Sequence, residues 1–564
     1  MNRQMAQGES RWVGALVLLL GGVVFTWPLL LHPTELYGHA QGEASNHLWM
    51  FWRAGEAGVV ANYPMGLPIP LMDPINLPIY RALAWVHPAL GYNAVWCFNL
   101  ALAFTGAVFL ARVMGVAHRA SLVAGVACAF SPFLSGLGSF GITESWGIGW
   151  LGFHCGFLIR YGQERRRVDL LAAGLTLAAF LWTGWYSAVF AVVTECCLAV
   201  TLLRRRQLNF GFVLQGGLAS LLVLPRLVSF WGDRGFWSGR WDGAPAPLDG
   251  QWEAWRELPR SGADLLNFTL PSLSSVEVSK AVYLGLIVLI LAAWAGRRGR
   301  LLVLWSLPFV LLSLGPYLMV GGHQSWLGSS LPLPAQGLRG IFPPLEGVTH
   351  WWRALAPAVL FLAVAAAMGA ERVGRERPRA WILLSGLVLF DSIGLSQTPW
   401  PRDLISVRPP PVYEKLEEEG ALLQLPVHNE RREFSEDVPR IYNRWQPVHG
   451  QPVVENYEGR DHLLDRNPLL QGLQALCVRG QGLSMALNES VMWAKELRKQ
   501  GVTQVVVHGV AQRDSLDAWQ CGQPGDSRAQ RQNRADRVVD HLLELGATKL
   551  HEASGDVLLS LRAM

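Results

Sequence analysis

The segment from Gly38 to Trp49 contains the residues most suited to chemistry. Glu43, Asn46 and His47 lie close together in it, just beyond an uncharged apolar stretch. A carboxylate that is partly desolvated beside a membrane has a raised pKa and can act as a general base. We predict that Glu43 is the catalytic base and that Asn46 and His47 bind substrate. A solvated loop acid is the alternative for Glu43, and for His47 the alternatives are to orient that acid or simply to lie at the interface.

A second acidic turn and two arginines complete the polar candidates. Glu144 lies in a Gly-rich stretch that ends at Trp146, and a short turn of this kind could approach Glu43. Arg226 stands near one end of an apolar run, and Arg353 follows two tryptophans. Intramembrane arginine is costly and tends to have a partner, and the guanidinium fork matches phosphate oxygens. These three residues are predicted to bind substrate; an ordinary turn acid and snorkelling side chains are the alternatives.

Membrane helices must position these side chains. The chain carries no charge from Trp12 to Leu31, which is long enough to cross a bilayer core of about 30 Å. Hydrophobic residues make up 51% of the sequence and charged residues 16%, and the 25 tryptophans suit a membrane boundary. About eleven transmembrane helices are predicted, the first run being followed by Ala94–Ala111, Ser121–Ser135, Trp146–Ile159, Leu170–Trp182, Ser187–Leu203, Phe210–Trp231, Val282–Ala295, Leu301–Leu314, Ala354–Gly369 and Ala380–Leu395.

Arginine placement predicts the orientation. Clusters such as Arg165–Arg167 and Arg204–Arg206 fall on alternate, short connections. By the positive-inside rule these connections and the N-terminus are cytoplasmic. The long segments 32–93, 232–281 and 316–353 are then outer loops of a membrane domain that covers residues 1–396. The first apolar run is too long for a cleaved signal peptide and lacks a small-residue cleavage site.

The composition beyond Pro399 becomes that of a soluble domain, residues 397–564. Ala421–Val427, Thr503–His508 and Asp556–Leu561 are predicted strands, and Arg528–Leu545 is a predicted amphipathic helix. A small α/β domain outside the membrane accounts for this pattern. Cys477 and Cys521 would then be in an oxidising environment, either as a disulfide or as free thiols.

Several function classes are disfavoured. The sequence has no phosphate-binding loop, Rossmann glycine pattern, His-Glu-x-x-His or Gly-x-Ser-x-Gly in a suitable context. The formal net charge of +5 could suggest nucleic acid, but the basic residues form short clusters between apolar runs. Membrane topology explains those clusters better, so no nucleic-acid partner is expected.

Short motifs follow one another along nearly the whole chain. The first outer segment reads Gly38-His39, then Gly42-Glu43, then Asn46-His47-Leu48-Trp49. The later motifs are Tyr63-Pro64-Met65-Gly66, Phe130-Ser131-Pro132-Phe133, Ala263-Asp264-Leu265-Leu266 through Pro271, Tyr283-Leu284-Gly285, Ser313-Leu314-Gly315-Pro316, Leu331-Pro332-Leu333-Pro334, Gly420–Pro426 and Pro447–Val454.

In the order of these motifs, the chain resembles bacterial multi-spanning glycosyltransferases of the GT-C superfamily that carry a C-terminal exported domain. The first outer loop of such proteins commonly has an acid at each of two positions. Here His39 replaces the first acid, and Glu43 stands where aspartate is usual. The fold implied is a polytopic α-helical membrane protein, GT-C-like, with a small C-terminal soluble α/β domain.

The resemblance implies an inverting glycosyltransferase that takes sugar from a polyprenyl-phosphate-linked donor. The acceptor would be an envelope glycan, lipid or protein at the outer face of a bacterial inner membrane, with the C-terminal domain periplasmic. Glu43 would be the general base. His47, Arg226 and Arg353 would be candidates for the phosphate, and Trp146, Trp185 or Tyr186 for stacking on sugar. The metal ligands are unknown, and Mg²⁺ or Mn²⁺ is a possible cofactor.

Two other classes stay open. A lipid or solute transporter predicts inverted repeats and charges at the midplane, whereas the polar residues of this chain concentrate in outer loops. A non-catalytic scaffold in envelope glycan assembly is compatible with histidine at position 39.

Overall fold

The structure is a computed structural model. It describes residues 2–40, 42–56, 73–232, 262–270, 282–323, 325–326, 329–341, 348, 350–375, 377, 379–396, 398–417, 420–425, 437–454, 495, 497–509 and 528–562. Cys477, Cys521, the motif Tyr63–Gly66 and most of the predicted outer loop 232–281 lie outside the described residues.

Helices account for most of the described chain. They are α1 Asn2–Phe25, α2 Ala44–Arg53, α3 Leu77–Ala84, α4 Pro88–Val113, α5 His118–Ala129, α6 Pro132–Phe140, α7 Ile148–Glu164, α8 Arg167–Leu181, α9 Tyr186–Arg204, α10 Phe210–Gly232, α11 Leu286–Trp294, α12 Gly296–Ser313, α13 Pro334–Ile341, α14 Leu355–Gly374, α15 Ala380–Gly394, α16 Asp437–His449 and α17 Arg528–Glu544. The strands are β1 Leu36–Tyr37, β2 Ser325–Trp326, β3 Ser329–Ser330, β4 Leu404–Ile405, β5 Ala421–Leu425, β6 Val502–Val507, β7 Thr548–Ala553 and β8 Asp556–Ser560.

The chain divides into two compact units. The first, here called the membrane unit, comprises Met1–Gly42, Met72–Gly232 and Leu248–Ile405. The second, here called the tail unit, comprises Glu43–Leu71, Asp233–Pro247 and Ser406–Met564. Helix α2, which follows Glu43, therefore belongs to the tail unit and not to the helices that precede and follow it in the sequence.

Each of the eleven predicted apolar runs falls on helices of the membrane unit. Five helical stretches within the described residues are long and apolar enough to cross a membrane: Pro88–Val113, His118–Phe140, Tyr186–Arg204, Phe210–Val228 and Trp351–Gly374. The apolar helices Trp12–Phe25 and Ala380–Gly394 are shorter. The structure is that of a mostly helical membrane protein, and the count of eleven spans stays a prediction.

The first helix ends earlier than the apolar run from which it was predicted. α1 stops at Phe25, and residues 26–31 form turns. Pro28 has no backbone N–H and disfavours a helical conformation at the residue before it, Trp27, which favours an end of the helix before this point. Hydrophobicity alone carried the prediction to Leu31.

Close packing of two helices fixes where α7 begins. A Cβ atom on Gly149 would lie 2.2 Å from the carbonyl oxygen of Leu102, and one on Gly106 would lie 2.4 Å from that of Gly149. Side chains at these positions would push α4 and α7 apart, as at other small-residue helix contacts in membranes. The turn Thr143–Ser145, just before α7, is thereby held in place.

The tail unit contains a four-stranded mixed sheet in the order β5-β6-β8-β7. Strands β5 and β6 are parallel, whereas β8 is antiparallel to both β6 and β7. The core includes Leu423, Val505 and Leu559 from three of these strands, together with Leu542 of α17. The strands predicted at 421–427, 503–508 and 556–561 and the helix predicted at 528–545 are all present with slightly different ends.

Candidate active site

Glu144 and Arg353 form a buried ion pair in the membrane unit. α6 ends at Gly141 in a left-handed conformation (φ 80°), which turns the chain into the short helical turn Thr143–Ser145 that carries Glu144. Arg353 lies in the turn Trp351–Ala354, directly before α14. Its Nη1 donates to Glu144 Oε1 over 2.5 Å, and the two side chains are only 5% and 8% exposed. The pair thus joins segments 209 residues apart in sequence.

Aromatic side chains enclose the Arg353 guanidinium. Its Cζ lies 4.9 Å from the ring centre of Tyr186 and 5.7 Å from that of Trp352. The Tyr186 hydroxyl accepts a hydrogen bond from the backbone N–H of His350 (3.1 Å) and lies 3.4 Å from His350 Nδ1. The cation–π contacts with these two rings hold the arginine in one orientation, and the hydroxyl of Tyr186 ties its ring to His350. Tyr186 therefore contacts the candidate cation directly.

Arg226 approaches the same group from α10. Its Nη1 donates to the carbonyl oxygen of Trp182 over 2.5 Å, and its Cζ lies 5.9 Å from the Trp182 ring. The acidic groups that interact with it electrostatically are Asp73 and Glu144. Arg226 and Arg353 thus both interact electrostatically with Glu144, and Arg353 forms the direct ion pair.

An apolar cleft adjoins Arg353. Its walls come from α9, α12 and the residues around the turn 351–354, and they present almost no polar surface. The lining residues are Tyr186, Val189, Phe190, Leu312, Val348, His350, Trp351 and Ala354. The cleft is small, with a cavity volume of about 10 Å³, so it shows that an apolar surface lies beside the Arg353 guanidinium.

The two tryptophans predicted to stack on sugar differ in their surroundings. Trp146 is fully buried, and its ring packs at 4.7 Å from Trp96 and at 5.7 Å from Tyr92, measured between ring centres. Trp185 is partly exposed and lies 4.0 Å from the ring centre of Tyr186. In this structure the Trp146 ring belongs to the helix core, and only Trp185 has a surface to offer a ligand.

The loop acid Glu43 lies in the tail unit. It is the N-cap residue of α2, but its side chain makes no capping hydrogen bond to the helix. Its Oε2 instead lies 3.6 Å from His47 Nε2, one helical turn further on. His47 is 3% exposed and Asn46 4%, whereas the Glu43 side chain is 30% exposed. The carboxylate is therefore accessible and is held beside a buried imidazole.

Metal ligation is chemically compatible with these residue types. Carboxylate oxygens suit Mg²⁺ and Mn²⁺, and imidazole is a frequent metal ligand. Glu43 and His47 in the tail unit are of these types, as is Glu144 in the membrane unit. Dependence on Mg²⁺ or Mn²⁺ stays a prediction.

His39 occupies the position at which the resemblance implies a first acid. Its Nε2 lies 3.7 Å from Asp403 Oδ2 within the membrane unit, near the strand pair β1–β4. An acid from a distant segment therefore stands beside the histidine. Tyr37, next to it, is fully buried, and this burial raises the pKa of its hydroxyl.

Two embedded acids have structural partners. Glu195 Oε1 lies 2.7 Å from His154 Nε2, which pairs α9 with α7. Asp391 accepts hydrogen bonds from the Tyr283 hydroxyl (2.7 Å) and from the backbone N–H of Ile287 (2.9 Å), so it caps the start of α11. Both contacts satisfy buried polar groups that would otherwise be costly within a membrane.

Sequence reasoning missed Asp73 and His350. Asp73 is fully buried, and its Oδ2 accepts a hydrogen bond from Asn76 (3.0 Å). His350 immediately precedes the run Trp351-Trp352-Arg353 at a predicted membrane boundary, which is a signal that could have found it. Asp73 lies in the predicted outer segment 32–93 and offers no comparable pattern.

Comparisons with known proteins give a fold and not a family. No family model matches the chain, and no curated protein matches its sequence. Among solved structures it is similar to arabinofuranosyltransferase AftD from Mycobacteria, with a TM-score of 0.55 and 16% identity, over 98% of this chain and 40% of AftD. The chain thus spans less than half the length of that protein.

Weaker likenesses have TM-scores below 0.5 and carry no argument. ArnT from Cupriavidus metallidurans matches at 0.46 with 12% identity over 99% of both chains. The oligosaccharyltransferase AglB from Archaeoglobus fulgidus matches at 0.41 with 12% identity, over 89% of this chain and 69% of AglB. The AftD likeness, at 16% identity, shows the fold alone: this chain has a fold similar to that of AftD.

Proposed function

We propose that this protein is a glycosyltransferase that moves a sugar from a polyprenyl-phosphate-linked donor to an envelope glycan, lipid or protein. The observation that carries the proposal is the buried pair of Arg353 and Glu144 beside an apolar cleft, within a GT-C fold. A lipid-linked phosphate has an anionic head and a hydrocarbon chain. The arginines are the proposed ligands of the head, and the apolar surface beside Arg353 is the proposed contact for the first carbons of the chain.

The two arginines are the proposed phosphate ligands. As the bond between the sugar and the phosphate breaks, negative charge grows on the departing phosphate oxygens. Preorganised cations beside such oxygens stabilise the transition state more than they stabilise the bound donor. Arg353 is held by Glu144 and Tyr186, and Arg226 is held by the Trp182 carbonyl. Trp185 is the proposed surface for the sugar.

Glu43 is the proposed general base. It takes the proton from the acceptor hydroxyl while the hydroxyl oxygen attacks the anomeric carbon. The bond from that carbon to the phosphate oxygen breaks, polyprenyl phosphate leaves, and the anomeric configuration is inverted. Support comes from the exposure of the carboxylate and its contact with His47, while Asn46 is a proposed substrate ligand.

The topology completes the proposal. Eleven helices would place the N-terminus in the cytoplasm and residues 397–564 in the periplasm of a bacterial inner membrane. Transfer would then occur at the outer face, where lipid-linked sugars meet envelope acceptors. The alternation of arginine-rich short connections supports this arrangement.

A single charge-removing substitution tests the base. Glu43→Gln keeps the size of the side chain but cannot accept the proton, so transfer is expected to fall by about 10²- to 10⁴-fold. The variant is expressed in cells that lack their own copy, and envelope glycans and lipid-linked sugars are measured by mass spectrometry. Glu56→Gln, at an exposed position three residues after α2, is the matched control and should transfer normally.

The alternative classes give different results in the same cells. Unchanged glycans in Glu43→Gln, at normal protein level, would favour a non-catalytic scaffold. Accumulation of the lipid-linked sugar on the cytoplasmic side, with unchanged transfer in outward-facing vesicles, would favour a transporter. Accumulation of the donor together with loss of the modified glycan is the result that a transferase predicts.

A further inference from the structure

One side of helix α2 packs against the rest of the tail unit. It packs along α16, and the indole Nε1 of Trp49 donates a hydrogen bond of 2.5 Å to Gln446 Oε1 on that helix. Trp49 is fully buried and Gln446 is 1% exposed. Because helical residues turn by about 100° each, Trp49 lies on the opposite side of α2 from His47, two residues earlier. The hydrogen bond therefore holds the side of α2 that lies opposite His47. Glu43 is the N-cap residue of the same helix.

Gln446 belongs to a buried chain of amides that reaches the sheet. Its Nε2 donates to the carbonyl oxygen of Gln451 over 2.8 Å. The Gln451 side chain in turn donates to the carbonyl of Glu417. Gln504 of β6 holds the Glu417 backbone from the other side, with an Nε2–O distance of 3.2 Å and an N–Oε1 distance of 2.9 Å. Trp49 is thus linked through neutral side chains to a central strand.

The imidazole of His449, the last residue of α16, is uncharged. Its Nδ1 accepts a hydrogen bond from the backbone N–H of Gln451 (3.2 Å), and its ring stacks on Tyr413 at 5.2 Å between centres. Burial lowers the pKa of His449 to about 3, because the charged form would lose its hydration. The ring accepts this hydrogen bond throughout the physiological pH range.

We propose that the hydrogen bond between Trp49 and Gln446 positions Glu43 for catalysis. This inference rests on the proposed function, in which Glu43 is the base. Trp49 and Gln446 are positioning residues: neither is assigned a contact with substrate. The tail unit would then serve the reaction by setting the rotation of α2.

Apolar contacts alone would not set that rotation. Hydrophobic packing is nondirectional, and core side chains tolerate repacking, whereas a fully satisfied buried polar network specifies one arrangement. All residues of α2 from Ala44 to Phe51 are buried, yet the indole hydrogen bond to Gln446 adds direction. A rotation of roughly 10° would move a side-chain head at about 6 Å from the axis by about 1 Å, which can cost about 10²-fold in rate.

The test removes the indole N–H and keeps a smaller aromatic ring at position 49. Trp49→Phe is expected to lower the rate of glycan transfer by at least about tenfold and to raise amide exchange in residues 44–53. The double variant Trp49→Phe with Gln446→Leu removes donor and acceptor together, and its thermal stability should stay below that of the wild type, because Gln446→Leu also removes the hydrogen bond to the Gln451 carbonyl. Its transfer rate should stay low, because no directional contact replaces the lost one.

A matched control lies in the membrane unit. The Nε1 of Trp305, also buried, donates to Thr201 Oγ1 over 3.2 Å, and Trp305→Phe should leave both transfer and exchange in residues 44–53 unchanged. Wild-type transfer in the double variant would overturn the positioning role.

Glu43→Gln separates the two proposals. Loss of transfer in that variant, combined with wild-type transfer in Trp49→Phe, overturns the positioning role and leaves the proposed function standing. Wild-type transfer in Glu43→Gln overturns the proposed function, and the positioning role falls with it. An exchange pattern in residues 44–53 that is the same in wild type and Trp49→Phe would show that the hydrogen bond does not order α2.

Discussion

Helix α7 has an arginine–carboxylate pair near each end, and the two pairs are built differently. Near its start, Glu144 meets Arg353 across 209 residues of sequence. Near its other end, Arg160 meets Asp169 across only nine residues, through the short connection to α8. In the first pair both side chains are buried, whereas Arg160 is 31% exposed and only Asp169 is buried.

The neighbours of the two guanidinium groups differ as well. Arg160 stacks on Phe109 and Phe157, with Cζ 5.4 and 5.2 Å from their ring centres, so its surroundings are apolar. Arg353 contacts Tyr186, whose hydroxyl lies beside His350, and it borders the apolar cleft. The pair of Arg160 and Asp169 ties the neighbouring helices α7 and α8 together. The proposed function assigns the Arg353 guanidinium to binding of an amphipathic anion.

The same conservative substitution at both pairs should have opposite consequences. Lysine keeps the charge but loses the planar fork and the ring contacts. Arg353→Lys is expected to lower transfer by about 10²-fold, because one preorganised donor to the leaving phosphate is lost. Arg160→Lys is expected to leave transfer within about twofold and to lower the melting temperature by a few degrees. Glycan transfer and thermal unfolding of the purified variants are the measurements.

Binding of undecaprenyl phosphate provides the control. Measured by native mass spectrometry in lipid nanodiscs, it should weaken in Arg353→Lys and stay unchanged in Arg160→Lys. Equal losses of transfer in both variants would contradict the distinction, since both arginines would then act through the stability of the membrane unit.

Replacing the carboxylate of each pair with an amide compares the two pairs at their acidic partners. In Glu144→Gln, a negative charge close to the incoming phosphate disappears, so undecaprenyl phosphate should bind severalfold more tightly. Turnover should nevertheless fall by about tenfold, because Arg353 loses the partner that orients it. Asp169→Asn should change neither binding nor turnover and should only reduce stability. Binding and transfer that fall together in Glu144→Gln would show that Glu144 itself holds the ligand.

Sequence periodicity predicted the elements better than their ends. The helix at Arg528–Glu544 and the strand at Asp556–Ser560 lie where their patterns indicated. Burial of one apolar face enforces the period of the helix, whereas every residue of the strand is buried, so a short apolar run marks it. The end of α1 was misjudged by six residues, since hydrophobicity continues past the backbone restriction at Pro28. Local chemistry sets such boundaries, and a hydropathy average does not register it.

The site was predicted only in part, for a different reason. Residue types at predicted boundaries suggested Glu144 and Arg353 separately, but their pairing depends on how α7 and α14 pack. The side chain of Trp146 was predicted to bind sugar from its place beside Glu144, yet helix packing turns its ring into the core. The role of Trp146 in sugar binding stays a prediction, and its ring has no exposed surface in this structure. Tertiary packing decides such orientations, and the local patterns of a single sequence do not reveal that packing.

Lowering the pH compares the charged pairs with the neutral hydrogen-bond network of the tail unit. His449 has its pKa lowered to about 3 by burial, against an ordinary value near 6.5 in the unfolded chain. The unfolded state therefore binds one more proton between these values, and the stability contributed above about pH 6.5 is lost as pH falls below it. The loss is at most about 1.4 kcal/mol per pH unit.

Thermal unfolding at pH 7.5 and pH 5.0 tests this last effect. The wild type should lose at most about 2 kcal/mol more than His449→Phe, which keeps the ring stacked on Tyr413 but does not titrate. Above pH 7 the two proteins should show the same pH dependence. An equal acid loss in both would mean that His449 is already accessible to protons in the folded state, and the neutral hydrogen bond from Gln451 would then not survive at low pH.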